Sequence, residues 1–271
     1  MPGLPVGVCE FYGEERLMNL FDLNGKVAVI TGGNGGIGLG MARGIASCGA
    51  SIVIAGRDEQ KAAAALAVLR EMGANAGFIV ADVTKKAECE ALIARTVAKH
   101  GHVDILVNNA GTSVRKMPQD LTEAEWHHVL DTNLTSAFLC SQAAYPVMLK
   151  AGGGKMINIG SMMSLFGAPY GTAYASSKGG IVQMSRAMAT AWAKDNIQVN
   201  AVLPGWIDTD LTKGARRQVE GLHDSVEKRT PHGRWGVPDD MAGVAAFLAS
   251  SASDFVTGTA IPVDGGFSIA M

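Results

Sequence analysis

Short apolar runs alternate with amphipathic stretches from about residue 26 to the end of the chain. Runs at 26–31 (KVAVIT), 51–55 (SIVIA), 77–80, 103–107, 155–159 (KMINI), 198–203 and 260–263 have strand length and few polar positions. Between them lie helix-length stretches at 37–47, 58–72, 84–100, 122–150, 172–194 and 239–249. Near-continuous apolar strands alternating with helices predict a parallel sheet covered on both faces. The expected fold is α/β, a doubly wound Rossmann-type sheet of about seven parallel strands. Punctuation agrees: Asp58 is a natural N-cap, and Gly49 and Gly73 are helix stops. The 122–150 stretch reads as one long helix, open to interruption.

Two segments break this rhythm. Residues 1–20 read as an N-terminal arm ahead of a single domain over 21–271. Residues 209–236 are rich in charge and lack the β-α alternation, so they read as a substrate lid.

Composition narrows the class. The chain has 271 residues, 48% hydrophobic and 18% charged, with a formal net charge of −2. That is enough apolar material for a large core, and no block of like charge suggests nucleic acid or an anionic membrane. Cys9, Cys48, Cys89 and Cys140 show no metal-ligand spacing, and neither do the six histidines. No metal is expected. The N-terminus lacks the basic and apolar regions of a signal peptide. The uncharged run 156–177 contains Asn158, Pro169 and several Gly and Ser, which argues against a membrane span. The expectation is a cytoplasmic protein.

Chemistry is concentrated at the ends of the predicted strands. Thr31-Gly32-Gly33-Asn34-Gly35-Gly36-Ile37-Gly38 follows the first strand and opens a helix. Glycines there permit positive φ and close approach of the backbone to a phosphate, and a helix N-terminus favours a pyrophosphate. The bland alternative is a tight strand-to-helix turn. Tyr174-Ala175-Ser176-Ser177-Lys178 places a phenol and an ammonium at i and i+4 of a helix. Such a pair could hold phenolate near neutral pH, or be a buried tyrosine beside a surface lysine.

With its T-G-x-x-x-G-x-G turn, the chain resembles the short-chain dehydrogenase/reductase family. The other family motifs follow in order: Asn108-Asn109-Ala110-Gly111, Asn133, Ser161, Tyr174 with Lys178, and Pro204-Gly205 with Thr209. The resemblance covers roughly residues 22 to 268. It implies hydride transfer between a nicotinamide and a carbonyl or alcohol carbon of a small molecule. Tyr174 would then be the general acid/base, Ser161 would orient the substrate oxygen, and Asn133 would hold a water connecting Lys178 to solvent. Lowering a phenol from a pKa of about 10 to about 7 needs roughly 4 kcal/mol. A charge about 4 Å away in an effective dielectric of about 20 supplies roughly that, so Lys178, helped by the charge of the oxidised nicotinamide, is sufficient in principle.

The resemblance also implies the cofactor wall: Gly32, Asn34, Gly36, Ile37, Gly38, Asp82, Val83, Asn109, Ala110, Gly111, Tyr174, Lys178, Pro204, Gly205, Ile207 and Thr209. Asp82 is an adenine contact or a cap for the helix near Thr84, and Asn109 braces the sheet. Met162, Met163 and Trp206 line an apolar substrate pocket or simply pack. At the end of the second strand stands Gly56, followed by Arg57 rather than a carboxylate. A guanidinium suits a 2′-phosphate, so NADP is expected over NAD, with Asp58 the competing ribose ligand.

The family analogy also implies a homotetramer, with helices 122–150 and 172–194 at an interface. Ala55-Gly56-Arg57 and Arg229-Thr230-Pro231 with Arg234-Trp235-Gly236 are similar to gluconate 5-dehydrogenase-like and other sugar or polyol dehydrogenases. Related sequences reduce 3-oxoacyl carrier-protein thioesters, for which Arg115, Lys116, Arg216 and Arg217 would form a basic patch. A dinucleotide-sensing protein on the same fold is the remaining alternative. An Arg57→Asp variant should lose its preference for NADPH over NADH in a cofactor titration; retention of the preference would refute the role given to Arg57.

Overall fold

The computed structural model describes residues 19–270. The expected arm lies outside the described residues except at its end, where the Leu20 carbonyl accepts from Ser251 Oγ at 2.9 Å.

Seven strands form one sheet in the order β3-β2-β1-β4-β5-β6-β7, with every pair parallel. They are β1 (Val27–Thr31), β2 (Ser51–Gly56), β3 (Ala76–Val80), β4 (Ile105–Asn108), β5 (Gly154–Ile159), β6 (Ile197–Pro204) and β7 (Ala260–Val263). The doubly wound expectation holds. The fourth strand starts two residues later than the pattern suggested, because Val103 is buried in the approach to the sheet rather than paired within it.

Strand alternation assigns each face its helices. Ala28 and Ile30 of β1 join a core with α1 (Gly36–Ser47), α2 (Glu59–Glu71) and α9 (Ala242–Ala249), through Met41, Ile45, Leu69 and Leu248. Val27 and Val29 join the opposite core, with α3 (Lys86–His100), α5 (Ser136–Lys150) and α6 (Thr172–Trp192), through Leu92, Met148 and Met188. Successive side chains thus point to opposite faces, and both faces are covered, which explains the near-continuous apolar strands.

The expected long helix at 122–150 is helical throughout but not uniform. Thr122 caps α4 (Glu123–Leu130) through a capping box with Glu125. A five-residue π turn, Asp131–Thr135, then joins α4 to α5. Residues 209–236, expected as an irregular lid, contain α7 (Asp210–Gln218) and α8 (Leu222–Arg229). Among the described residues no helix is long and apolar enough to cross a membrane.

α1 lies against α9 with no room for a side chain. A Cβ at Gly44 would fall 2.2 Å from the Ala242 carbonyl oxygen, and that neighbour is backbone. Overpacking of a closed core costs about 1–3 kcal/mol. Gly44→Ala should therefore destabilise the protein by about 2 kcal/mol or more, and an unchanged denaturation midpoint would show that α1 and α9 can separate freely.

Candidate active site

The carboxyl ends of β1 and β4 meet where the strand order reverses, the crevice in which open α/β sheets hold ligands. Asn109 spans it. Its Nδ2 donates to the carbonyls of Thr31 and Gly32, each at 3.0 Å, while Thr31 Oγ1 accepts from the backbone N–H groups of Asn109 and Ala110. Asn109 is thus the expected brace of the sheet.

The glycine turn lies on this brace. Gly32 and Gly36 have φ of +64° and +50°. A Cβ at Gly38 would meet Asn109 Nδ2 at 2.5 Å and the Gly32 carbonyl at 2.6 Å, so the third glycine is required for close contact between turn, helix and brace. No side chain caps α1, whose N-terminus is Gly35-Gly36. Its first-turn N–H groups open onto a cleft of about 520 Å³.

The cleft wall contains most of the expected cofactor residues: Gly32, Asn34, Gly36, Ile37, Asn109, Ala110, Gly111, Tyr174, Lys178, Pro204, Gly205, Ile207 and Thr209. Four others stand elsewhere. Gly38 is packed behind the turn. Val83 is buried in the α3 core. Arg57 is exposed just beyond β2. The Asp82 carboxylate turns onto its own loop, accepting from Thr84 Oγ1 at 2.7 Å and from Thr84 N at 3.2 Å. That hydrogen bond is the largest influence holding its pKa below the ordinary value. The helix after Asp82 starts at Lys86, with Lys85 as its N-cap residue, so Asp82 forms a turn ahead of the helix rather than a cap. Lys61, Asp208, Asp210 and Lys213 also line the cleft; the motif pattern did not single them out.

A smaller recess of about 90 Å³ adjoins the cleft. Met162, Met163 and Trp206 line it, together with Arg115, Tyr170 and Leu211. Ser161 and Tyr174 border both cavities. Two hydroxyls therefore stand where cleft and recess join.

Behind them lies Lys178, only 4% exposed, with Nζ 2.7 Å from the Ile159 carbonyl. Burial lowers its pKa to about 8. Nζ is 5.7 Å from the Tyr174 ring centroid. In the protein alone the Tyr174 pKa is raised, not lowered: removal from water dominates, and the opposing pulls come from a Ser161 hydrogen bond and the Arg115 charge. The helical spacing brought the two side chains together, but the ammonium is aimed at a strand carbonyl.

Asn133 sits in the π turn, 2% exposed. Its Oδ1 accepts from Thr112 N at 2.7 Å, and its Nδ2 donates to the Thr112 carbonyl and to Ser177 Oγ, both at 3.0 Å. Both amide hydrogens are therefore used by protein partners, and the side chain ties the β4 loop to α6. A Cβ at Gly111 would contact both Asn133 Oδ1 (3.4 Å) and Lys178 Nζ (3.7 Å), so the three share one corner of the cleft.

Of the four residues considered for a basic patch, two are spent. Lys116 pairs with Glu125 at 2.6 Å, and Arg216 pairs with Asp208. Arg115 turns into the recess, its Nη1 3.4 Å from Gln218 Oε1.

A family model described as enoyl-(acyl carrier protein) reductase matches residues 32–268, which takes in most of the fold and the glycine turn, Asn109, Asn133, Ser161, Tyr174, Lys178 and Thr209. The chain belongs to the short-chain dehydrogenase/reductase family. Within it, the chain is 42% identical over 252 residues to 2-dehydro-3-deoxy-D-gluconate 5-dehydrogenase of Escherichia coli K12, covering 93% of this chain and 98% of that one. It is 38% identical to a 3-oxoacyl-acyl-carrier-protein reductase of Chlamydia muridarum, covering 89% and 96%. Among solved structures it is similar to gluconate 5-dehydrogenase from Burkholderia cenocepacia in complex with NADP and tartrate, with a TM-score of 0.89, 41% identity and coverage of 94% and 100%.

The buried lysine of this short-chain dehydrogenase/reductase carries a measurable cost. An unfolded Lys178 keeps its proton up to its ordinary pKa of 10.5, whereas the folded one keeps it only up to about 8. Below pH 8 folding must desolvate the charge in full; from there to 10.5 the unfolded chain holds the extra proton and stability rises with pH. Relative to a Lys178→Met variant, the wild type should gain on the order of 3 kcal/mol across this window. Denaturant titrations of both proteins check this, and a constant difference between them would contradict the buried-ammonium geometry.

Proposed function

We propose that the protein is an NADP-dependent oxidoreductase that interconverts a secondary alcohol and a ketone on a carboxylate-bearing substrate of the sugar-acid class. The observation that carries the reading is the position of Ser161 and Tyr174 at the join of a dinucleotide-sized cleft and a small recess containing Arg115.

The cleft fits the cofactor. The open turn at Gly32–Gly36 and the uncapped α1 N-terminus suit a pyrophosphate, while Ile207 and Thr209 close the far wall. When bound there, the nicotinamide supplies or accepts the hydride. Arg57 beyond β2, with no carboxylate at the strand end, favours the 2′-phosphate form.

The chain's own residues handle the proton and the orientation. The Tyr174 phenol, held protonated by burial, is suited to give its proton to a carbonyl oxygen in the direction of reduction. Ser161 offers a second hydrogen bond to the same oxygen. Lys178, with a pKa near 8, is placed to exchange protons close to neutral pH. Asn133 holds the corner in which Lys178 sits. Across the recess Arg115 presents a cation to a carboxylate, and Met162, Met163 and Trp206 exclude water around the carbon chain. The relatives named for gluconate and deoxygluconate, and the relative bound to the hydroxy acid tartrate, support that substrate class.

A cytoplasmic homotetramer completes the reading, with the α4–α5 and α6 helices at one interface. Support for the assembly comes from Phe138 and Leu149 on α5, which are large, apolar and 43% and 44% exposed.

The test is cofactor oxidation over a panel of keto-sugar acids, neutral ketones and 3-oxoacyl thioesters, with NADPH and with NADH. Turnover of keto-sugar acids with NADPH is expected. In Tyr174→Phe turnover should fall by at least ~100-fold while cofactor binding persists. In Arg115→Gln the KM for the keto acid should rise on the order of 10-fold, with little change for neutral ketones. Activity confined to 3-oxoacyl thioesters would favour the acyl-carrier alternative, and binding of cofactor without any turnover would favour the sensor.

A further inference from the structure

Lys61 occupies an unusual position for an exposed helix residue. It lies in the first turn of α2, where Asp58 Oδ1 accepts from its backbone N–H at 2.9 Å. Its side chain reaches across the mouth of the cleft to Asp210, the first residue of α7, with Nζ to Oδ2 at 3.0 Å. Lys61 therefore lines the cleft from the helix that follows β2 and Arg57 in the chain. Asn34 is there as well: its amide nitrogen lies 3.5 Å from where a Cβ on Gly56 would be.

The partners of the surrounding cations narrow the choice. Lys178 is committed to the Ile159 carbonyl, Arg216 to Asp208, and Lys85 to Glu88 at 3.2 Å. Among the described residues Lys61 and Lys213 of the cleft wall are held through surface ion pairs to Asp210, with side chains 58%, 57% and 77% exposed, and of the two it is Lys61 that belongs to the helix after β2. Such pairs contribute about 0–1 kcal/mol. A dianionic phosphate on the same rim is a stronger partner for an ammonium than one exposed carboxylate. Asp210 would not be stranded by the exchange, because Lys213 Nζ already stands 3.9 Å from its other oxygen.

We propose that Lys61 is a specificity-determining residue for the 2′-phosphate of NADP, with Asp210 as the resident partner that the phosphate displaces. The inference rests on the NADP reading above. With NAD, which lacks that phosphate, Lys61 stays on Asp210 and α2 remains tied to α7. With NADP, Lys61 turns inward beside Arg57, and the tie to α7 is released. The same residue thus reads the cofactor and reports it to the helix that closes the cleft.

The experiment is a fluorescence titration of NADPH and NADH without substrate, on the wild type, Lys61→Gln, Lys61→Arg, Asp210→Asn and the double variant Lys61→Gln/Asp210→Asn. Displacement of bound NADPH by 2′,5′-ADP and by 5′-AMP isolates the phosphate. Lys61→Gln should weaken NADPH and 2′,5′-ADP by roughly 5-fold or more, and NADH and 5′-AMP by less than roughly 2-fold. Lys61→Arg should restore most of the loss. Asp210→Asn should tighten NADPH by roughly 2-fold, and that gain should vanish in the double variant, the mark of a shared partner. Equal effects of Lys61→Gln on both cofactors would reduce Lys61 to a latch and overturn the proposal, as would no effect on either. If the wild type binds NADH more tightly than NADPH, the NADP reading itself fails. The Lys61 proposal would then still be decided by whether the substitution moves the NADPH-to-NADH ratio. Thermal melts of the variants separate these effects from loss of fold, to which exposed Lys61 and Asp210 should contribute little.

Discussion

The reversal of strand order between β1 and β4 is the constraint on which the rest of the structure depends. From β1 the chain winds outward through β2 to β3, then returns to β4 on the other side and winds outward to β7. Right-handed crossovers put the helices leaving the two halves on opposite faces, so their first turns diverge and leave a crevice at the carboxyl ends. A crevice in the middle of a sheet exposes backbone that the next strand would otherwise cover. Here two side chains compensate: Asn109 satisfies two carbonyls of the β1 end, while Thr31 satisfies the N–H groups that β4 leaves open. The glycine turn can be thin because it rests on this bridge, and Gly38 is fixed as glycine by contact with the same amide.

Most of this was legible in the sequence because parallel strands buried on both faces leave a plain signal. The run Val27–Thr31 could not sit at a surface, and the glycine turn could only follow such a strand. What escaped was what depends on contacts distant along the chain. The π turn at Asp131–Thr135 adds no visible mark to a helical pattern; it becomes intelligible once Asn133 is seen bonded to both Thr112 and Ser177. Spacing placed Tyr174 and Lys178 on one helix face but did not show that, in the protein alone, burial dominates the phenol. The sequence says which side chains are neighbours along a helix, not which strand end the ammonium will meet. Lys61 escaped for the same reason, because its partner Asp210 belongs to a segment that shows no strand or helix rhythm.

Aromatic and charged contacts hold that segment together, beside the buried Ala215 and Val226. Trp235 is 6% exposed and lies at its centre. Arg216 of α7 stacks over its ring at 4.5 Å while pairing with Asp208. Trp206 meets it edge-on at 5.5 Å, and His223 of α8 stacks at 5.8 Å while its carbonyl accepts from the indole N–H. One buried indole thus gathers α7, α8 and the strand end that carries Trp206 into the recess. Cation–π and aromatic pairs of this kind each contribute about 0.5–2 kcal/mol. Together they fix how α7 and α8 lie against the indole.

The electrostatics of the site follow from the same geometry. A lysine 4% exposed and paired with a neutral carbonyl loses the hydration of its charge, so its pKa falls. A phenol removed from water beside it does not ionise unaided, so its pKa rises. The two shifts draw the groups toward a state in which tyrosine keeps its proton and lysine can lose one. That state suits the donor role proposed for the Tyr174 phenol. An added positive charge in the cleft would lower both values, since it favours phenolate and disfavours ammonium. The direction of proton flow is therefore tied to the charge of what the cleft holds rather than fixed by Tyr174 and Lys178 alone. A protein that only sensed a dinucleotide would have no use for a lysine buried at this cost behind two hydroxyls that open onto a second cavity.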